Sequence, residues 1–200
     1  LIEALERGPM TIVALGPLTN VATVLAMRPD LASRISALVA VQGRRPGHLF
    51  HPSEGAGGAS FLGHGPVFRD FNFALDPAAT AALIATNVPL VLVPYDAARH
   101  SEVSASDVAQ LGQAGPIGAW LGPRLKPWLA YWEESIGRTG FMPFDLMAVA
   151  PLVEPDALRC ARVHAWVGQD DHLFLPGFRP TALLVAQASD APAHDGLARV

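Results

Sequence analysis

Short, wholly apolar runs separated by stretches of helical spacing constrain this chain more than any other feature. Thr11-Ile-Val-Ala-Leu15, Ala37-Leu-Val-Ala-Val41 and Pro89-Leu-Val-Leu-Val-Pro94 lack the polar alternation of a strand with one wet face. Such runs suit strands covered on both sides. Leu18–Met27 and Ala78–Leu83 between them read as helices, with further helices expected at Ser104–Leu111, Ile117–Ile136 and Leu146–Val153. Two β-rich stretches follow, at Arg162–Val167 and Thr181–Ala188. The alternation predicts an α/β fold, a mostly parallel open sheet flanked by helices, in a single domain over residues 1–200. Leu1–Arg7 has the character of a helix tail, so the chain is expected to begin in mid-protein.

Local signals sharpen the frame. Gly16-Pro17 turns the chain after the first strand, and Pro29 stops the first helix. Asp76-Pro77 is a helix start, Asp as N-cap and Pro at the first helical position. Gly43–Arg69, rich in Gly, Pro and His, is expected to be irregular and to border a pocket. Asp170-Asp171 is expected in a hairpin turn.

Composition then removes whole classes of function. The formal net charge of -4 is spread along the chain, and Lys126 is the only lysine. Nucleic-acid binding needs clustered Lys and Arg, so no nucleic-acid partner is expected. No apolar run is long enough to span a bilayer, so no membrane partner is expected either. Cys160 is the single cysteine, which rules out an internal disulfide and suits a reducing, cytoplasmic setting. Its segment, Leu158–Val163, reads as the entry to a strand, where a small buried hydrophobe is expected. The seven histidines match no zinc spacing.

Three segments, in order, carry a resemblance. Val13-Ala-Leu-Gly-Pro-Leu-Thr-Asn-Val-Ala22, Asp70-Phe-Asn-Phe-Ala-Leu-Asp-Pro-Ala-Ala79 and Phe144-Asp-Leu-Met-Ala-Val-Ala150 are similar to the ALGPLTNxA, EFNxxxDPEAA and HDPLAVA motifs of inosine/uridine-preferring nucleoside hydrolases. The resemblance implies a Rossmann-like fold whose opening strands are missing from this chain. It also implies hydrolysis of the N-glycosidic bond of ribonucleosides by calcium-assisted attack of water at the anomeric carbon, a small-molecule nucleoside substrate and a homo-oligomer. Residue by residue, it implies that the Thr19 carbonyl and the Asp145 carboxylate serve as calcium ligands. Asp70, Asn72 and His64 would hydrogen-bond the ribose, Asp70 with one methylene fewer than the family's Glu. Bland readings stand beside these: Thr19 as a helix cap, Asn72 as a turn brace, Asp145 as a partner of its helix dipole.

The departures are specific. The family's N-terminal DxDxxxDD cluster, which supplies most calcium ligands and the base, has no counterpart here. Phe144 occupies the position of the histidine that protonates the departing base, and phenylalanine has no proton to give. His48 or His51, or stacking of the base on aromatic rings, are alternatives for that role. Trp120, Trp128, Tyr131 and Trp132 share a helix, where core packing is the expected role. Gln42 stands where the family's second strand motif commonly has an apolar residue. The rival to an enzyme is therefore an inactive relative that binds ribose or nucleoside or joins subunits.

Overall fold

A computed structural model describes residues 1–43, 71–94, 97, 101–154, 156, 158, 160, 162–170, 181–188 and 198–199. The expectations for residues 44–69, and for Asp70, His48, His51 and His64, lie outside the described residues. The chain divides into two compact units. Of the described residues, the first unit holds 1–43, 71–97 and those from 144 onward; the second holds 101–143.

The first unit is built on a parallel ladder. Strands β1 (Met10–Ala14), β2 (Ile35–Ala40) and β3 (Leu90–Leu92) pair in parallel. Ile12, Leu38 and Leu90 stand abreast, as do Ala14, Ala40 and Leu92, so all three strands end flush. The sheet continues through β8 (Ala198–Arg199) and β6 (Arg162–Asp170) to β7 (Thr181–Ala188). β8 is parallel to β3, whereas β6 is antiparallel to both β7 and β8. Asp170 lies within β6 opposite Thr181, not in a turn.

Among the described residues of this unit, the sheet is accompanied by α1 (Ile2–Arg7), α2 (Thr19–Met27), the 3-10 turn Pro29–Arg34, α3 (Phe71–Leu75), α4 (Pro77–Ile84) and, later in the chain, a helix over Leu146–Val153. Asp76 caps α4 as its sequence foretells, accepting from the Ala79 amide at 2.9 Å. Leu5, Leu18, Leu38, Phe73, Leu83 and Leu92 form the centre of the core, each at most 2% exposed. Leu38, Val39 and Ala40 of β2 are buried, as the apolar run requires, whereas Ser36 earlier in the strand is exposed. Cys160 is exposed instead of buried, because it precedes β6 in the connecting segment.

In the second unit, β4 (Val103–Ser104) pairs antiparallel with β5 (Gly140–Phe141). Helix α5 (Ala105–Leu111) begins with a reciprocal capping box between Ser104 and Asp107, and α6 (Gly115–Tyr131) follows it. Pro123 and Pro127 lie inside α6, each withholding one helical N–H. The helix passes into a π turn over Trp132–Ile136 and stops at Gly137, whose φ is 76°. Of the four aromatic residues expected to pack inward, only Trp132 is buried. Trp120, Trp128 and Tyr131 are 59%, 46% and 49% exposed, so they cover no core. Trp128 stacks on Tyr131 at 5.1 Å, and Arg124 lies 4.1 Å above the Trp120 ring.

Helices α5 and α6 touch through glycine. A Cβ on Gly118 would sit 1.9 Å from the Leu111 carbonyl oxygen, and one on Gly122 would sit 3.0 Å from the Gly112 Cα. Alanine in an open helix interior gains about 1 kcal/mol over glycine. At Gly118 the backbone clash outweighs that gain. Gly118→Ala is therefore expected to lower the urea midpoint of unfolding, and an unchanged or raised midpoint would contradict this packing.

Candidate functional site

Because the parallel strands end flush, the chain leaving each of them emerges at one edge. Ligands of open α/β sheets bind beyond that carboxyl edge. Past β1 comes Thr19, the first residue of α2; past β2 come Val41, Gln42 and Gly43. The Val41 amide donates to the Ala14 carbonyl at 3.1 Å, which carries the pairing one residue beyond the strands. Gly43 then turns the chain with φ 97°, a conformation glycine adopts without penalty.

Three polar contacts are laid across this edge. Thr19 Oγ1 donates to Asp76 Oδ2 at 2.5 Å. Asn72 Nδ2 donates to the Val41 carbonyl at 2.7 Å. Thr80 Oγ1 donates to Gln42 Oε1 at 3.3 Å in a fully buried contact. The first bond joins the first sequence motif to the second. The N-cap of α2 is Leu18 and not Thr19, whose hydroxyl is engaged with Asp76. Asn72 sits in a helix rather than a turn. Its bond to Val41 uses one N–H and leaves the carbonyl oxygen for another partner.

Asp76 divides its two oxygens, Oδ1 to the Ala79 amide and Oδ2 to Thr19. The Thr19 hydroxyl first, and then the Ala79 amide, hold its carboxyl below the ordinary range. Asp145 behaves in the opposite sense. It precedes α7 (Leu146–Val153) as N-cap, yet its side chain makes no capping hydrogen bond. The protein around it removes part of its hydration and raises its carboxyl, although the residue is exposed by area. Among the described residues, Asp145 shares no hydrogen bond with Thr19 or Asn72. Phe144, beside it, is half-buried, and its carbonyl accepts from the Met147 amide at 3.2 Å.

Sequence reasoning singled out Thr19 and Asn72, and both lie along the carboxyl edge. It gave Asp76 only a capping role, marked Gln42 only as a departure from the family's pattern, and passed over Thr80. A carboxylate has two oxygens and a cap uses one, which was the signal available for Asp76. For Gln42 the signal was a single polar side chain closing an apolar strand. Gln42 is 2% exposed, and its Nε2 has no hydrogen-bond partner among the described residues. A buried polar group left unpaired costs about 1–3 kcal/mol.

Calcium ordinarily takes six to eight oxygens. No group of three or more His, Cys, Asp or Glu is placed to hold a metal among the described residues. The Thr19 carbonyl and the Asp145 carboxylate are two donors, and the upward shift of Asp145 reflects a carboxylate whose surroundings do not favour its charge. The described residues do not by themselves fit a calcium site.

A polar layer beyond the flush carboxyl edge of a parallel sheet defines an α/β protein of the small-ligand-binding kind. The comparisons narrow the class. Residues 1–177 match the family described as inosine-uridine preferring nucleoside hydrolase, and the chain belongs to that family. It is 27% identical to the pyrimidine-specific ribonucleoside hydrolase RihA of Klebsiella pneumoniae, covering 90% of this chain and 57% of that protein. The same enzyme of Citrobacter koseri is 28% identical, with 88% and 56% covered. The chain thus spans less than two thirds of the length of the curated relatives it matches. A purine-preferring ribonucleoside hydrolase from Gardnerella vaginalis shares the fold with TM-score 0.71 at 18% identity, covering 100% of this chain and 58% of that one. The plant nucleoside hydrolase PpNRh1 aligns with TM-score 0.69, also at 18% identity, over 94% of this chain and 61% of its own. No helix among the described residues is long and apolar enough to cross a membrane.

The two carboxylates predict opposite responses to pH. Asp76 is depressed in the folded state, so its contribution is present above the unfolded value and lost as pH falls through the folded one. Asp145 is raised, so it favours folding at low pH, and that help disappears as pH rises through its folded value. Asp76→Asn is expected to lower the melting temperature at pH 7 by a few degrees and to flatten the loss of stability on acidification. Asp145→Asn is expected to leave the melting temperature at pH 7 unchanged or slightly raised. Melting curves recorded between about pH 2 and 7 distinguish the two.

Proposed function

We propose that this chain belongs to an enzyme that hydrolyses the N-glycosidic bond of ribonucleosides, and that its carboxyl edge holds the ribose. The observation that carries this reading is the Thr19–Asp76 hydrogen bond, which ties two of the family's motifs together where α/β sheets bind ligands. Asn72, braced on Val41, offers its remaining oxygen to a sugar hydroxyl. Asp70 and His64, which lie outside the described residues, join it as sugar-binding groups by motif position. The curated relatives are pyrimidine-specific, so uridine and cytidine are the first substrates to examine.

Hydrolysis joins the oxygen of water to the anomeric carbon while the electron pair of the C–N bond leaves with the base. The base needs a proton, and the transition state has oxocarbenium character that nearby oxygens stabilise. A general acid contributes about 100- to 10,000-fold to such a step. Phe144 supplies none of it. Calcium is the metal the motifs suggest, with Thr19 and Asp145 as ligands, but two oxygens fall short of its needs and no step is routed through it here. Weak binding, with a dissociation constant no tighter than about 1 mM, is the expected result of calcium calorimetry on the 200-residue chain. The inactive-relative reading draws its support from the same two features, Phe144 and the sparse oxygen set.

A leaving-group comparison separates the readings. 4-Nitrophenyl riboside leaves as a stable anion and needs no acid, so its kcat/KM is expected to exceed that of uridine by about 100-fold or more. Phe144→His is expected to raise uridine turnover and leave the activated riboside unaffected. Hydrolysis of neither substrate, with sugar binding intact, would favour the inactive relative.

A further inference from the structure

We propose that the amide of Gln42 is a specificity-determining group that hydrogen-bonds a hydroxyl of the bound sugar, an inference that rests on the ribonucleoside reading above. Gln42 lies two residues beyond the end of β2 and is 2% exposed. Its oxygen accepts from Thr80 at 3.3 Å, and its nitrogen has no partner among the described residues. Exchanging the amide's oxygen and nitrogen would leave the oxygen unpartnered instead, so one polar end is left over in either orientation.

The fold itself has little use for this amide. Thr80 has a second acceptor in the Asp76 carbonyl at 3.5 Å. The Gln42 backbone N–H is already turned to the Ala40 carbonyl at 3.1 Å. A methionine of similar length would fill the same volume with no orphaned donor. A buried group that costs stability, and whose one internal bond its partner can replace, is the expected mark of a binding residue. Its location agrees: Gln42 follows Val41, whose carbonyl anchors Asn72, and faces Thr80, one turn along the helix that Asp76 caps.

The chemistry of the partner follows from the ambiguity of the amide. A hydroxyl both donates and accepts, so it satisfies either orientation, whereas a carbonyl or a carboxylate satisfies only one. The Asp76 carboxylate already places negative charge along this edge, which favours a neutral polyol over an anion. A ribose hydroxyl meets both conditions.

The test is a cycle between protein and ligand. Uridine and its three monodeoxy analogues are titrated by calorimetry into the wild-type protein, Gln42→Met and Gln42→Glu, with thermal melts of each unliganded protein. Wild type is expected to prefer uridine over one particular analogue by about 10-fold or more. Gln42→Met loses that one preference, keeps the other two and melts no lower than wild type. Gln42→Glu, which retains an oxygen for Thr80 and removes the N–H donors, changes the same preference alone. If both variants keep all three preferences, the amide serves no sugar hydroxyl and the proposal fails while the ribonucleoside reading stands. Equal loss of affinity for all four ligands with a lower melting temperature marks a structural residue and also overturns it. A wild-type protein that binds none of the four removes this proposal and the ribonucleoside reading together.

Discussion

The parallel register of β1, β2 and β3 is the constraint on which the rest of this structure depends. Ala14, Ala40 and Leu92 end abreast, so the three chain exits share one edge. A slip of one residue in β2 would turn Val41 and Gln42 to opposite faces, because side chains alternate along a strand. Asn72 would lose its carbonyl and Gln42 its hydroxyl partner. The apolar side chains that fix the register, Leu38 and Val39 above all, thereby position groups they never touch.

Much of this frame was legible in the residues, and the reason differs by element. Runs of β-branched and aliphatic residues marked β1, β2 and β3 as strands, although no residue of β1 is fully buried and Ser36 of β2 is exposed. Asp76-Pro77 marked the start of α4 because both residues act within one turn of chain. The two-residue ladder of β4 and β5 left no trace, since pairing of residues about 37 positions apart leaves no periodic signal in either segment. Helix α3 escaped for a related reason, being too short for one face to repeat. Helical spacing did place Trp120, Trp128 and Tyr131 on one helix, but spacing says which residues share a face and nothing about whether that face is covered.

The candidate site was legible in outline and not in its bonds. Motif resemblance brought Thr19, Asn72 and Asp145 to attention. It could not show that Thr19 spends its hydroxyl on Asp76, nor that Asp145 pays a hydration cost without a capping bond in return. Those facts arise from residues 57 positions apart in sequence and from the packing around a single carboxylate. Gln42 shows the limit most plainly. Its sequence position is only a polar substitution at a strand end, and its chemical interest lies in the half of its amide that the fold leaves unanswered.

The position of β8 bears on how such a chain acquires its structure during synthesis. β8 lies inside the sheet, between β3 and β6, although it comprises residues 198–199. The second unit's described residues, by contrast, form one continuous stretch, with contacts that close locally and early. On the ribosome, the helical hairpin of α5 and α6 can therefore form while the sheet still has a gap beside β3. The apolar edge at Val91 stays unpaired on that side until synthesis has passed Arg199. Translation speed between β3 and β8 then sets how long that edge is open to a neighbouring nascent chain, a vulnerability in time rather than in the finished fold.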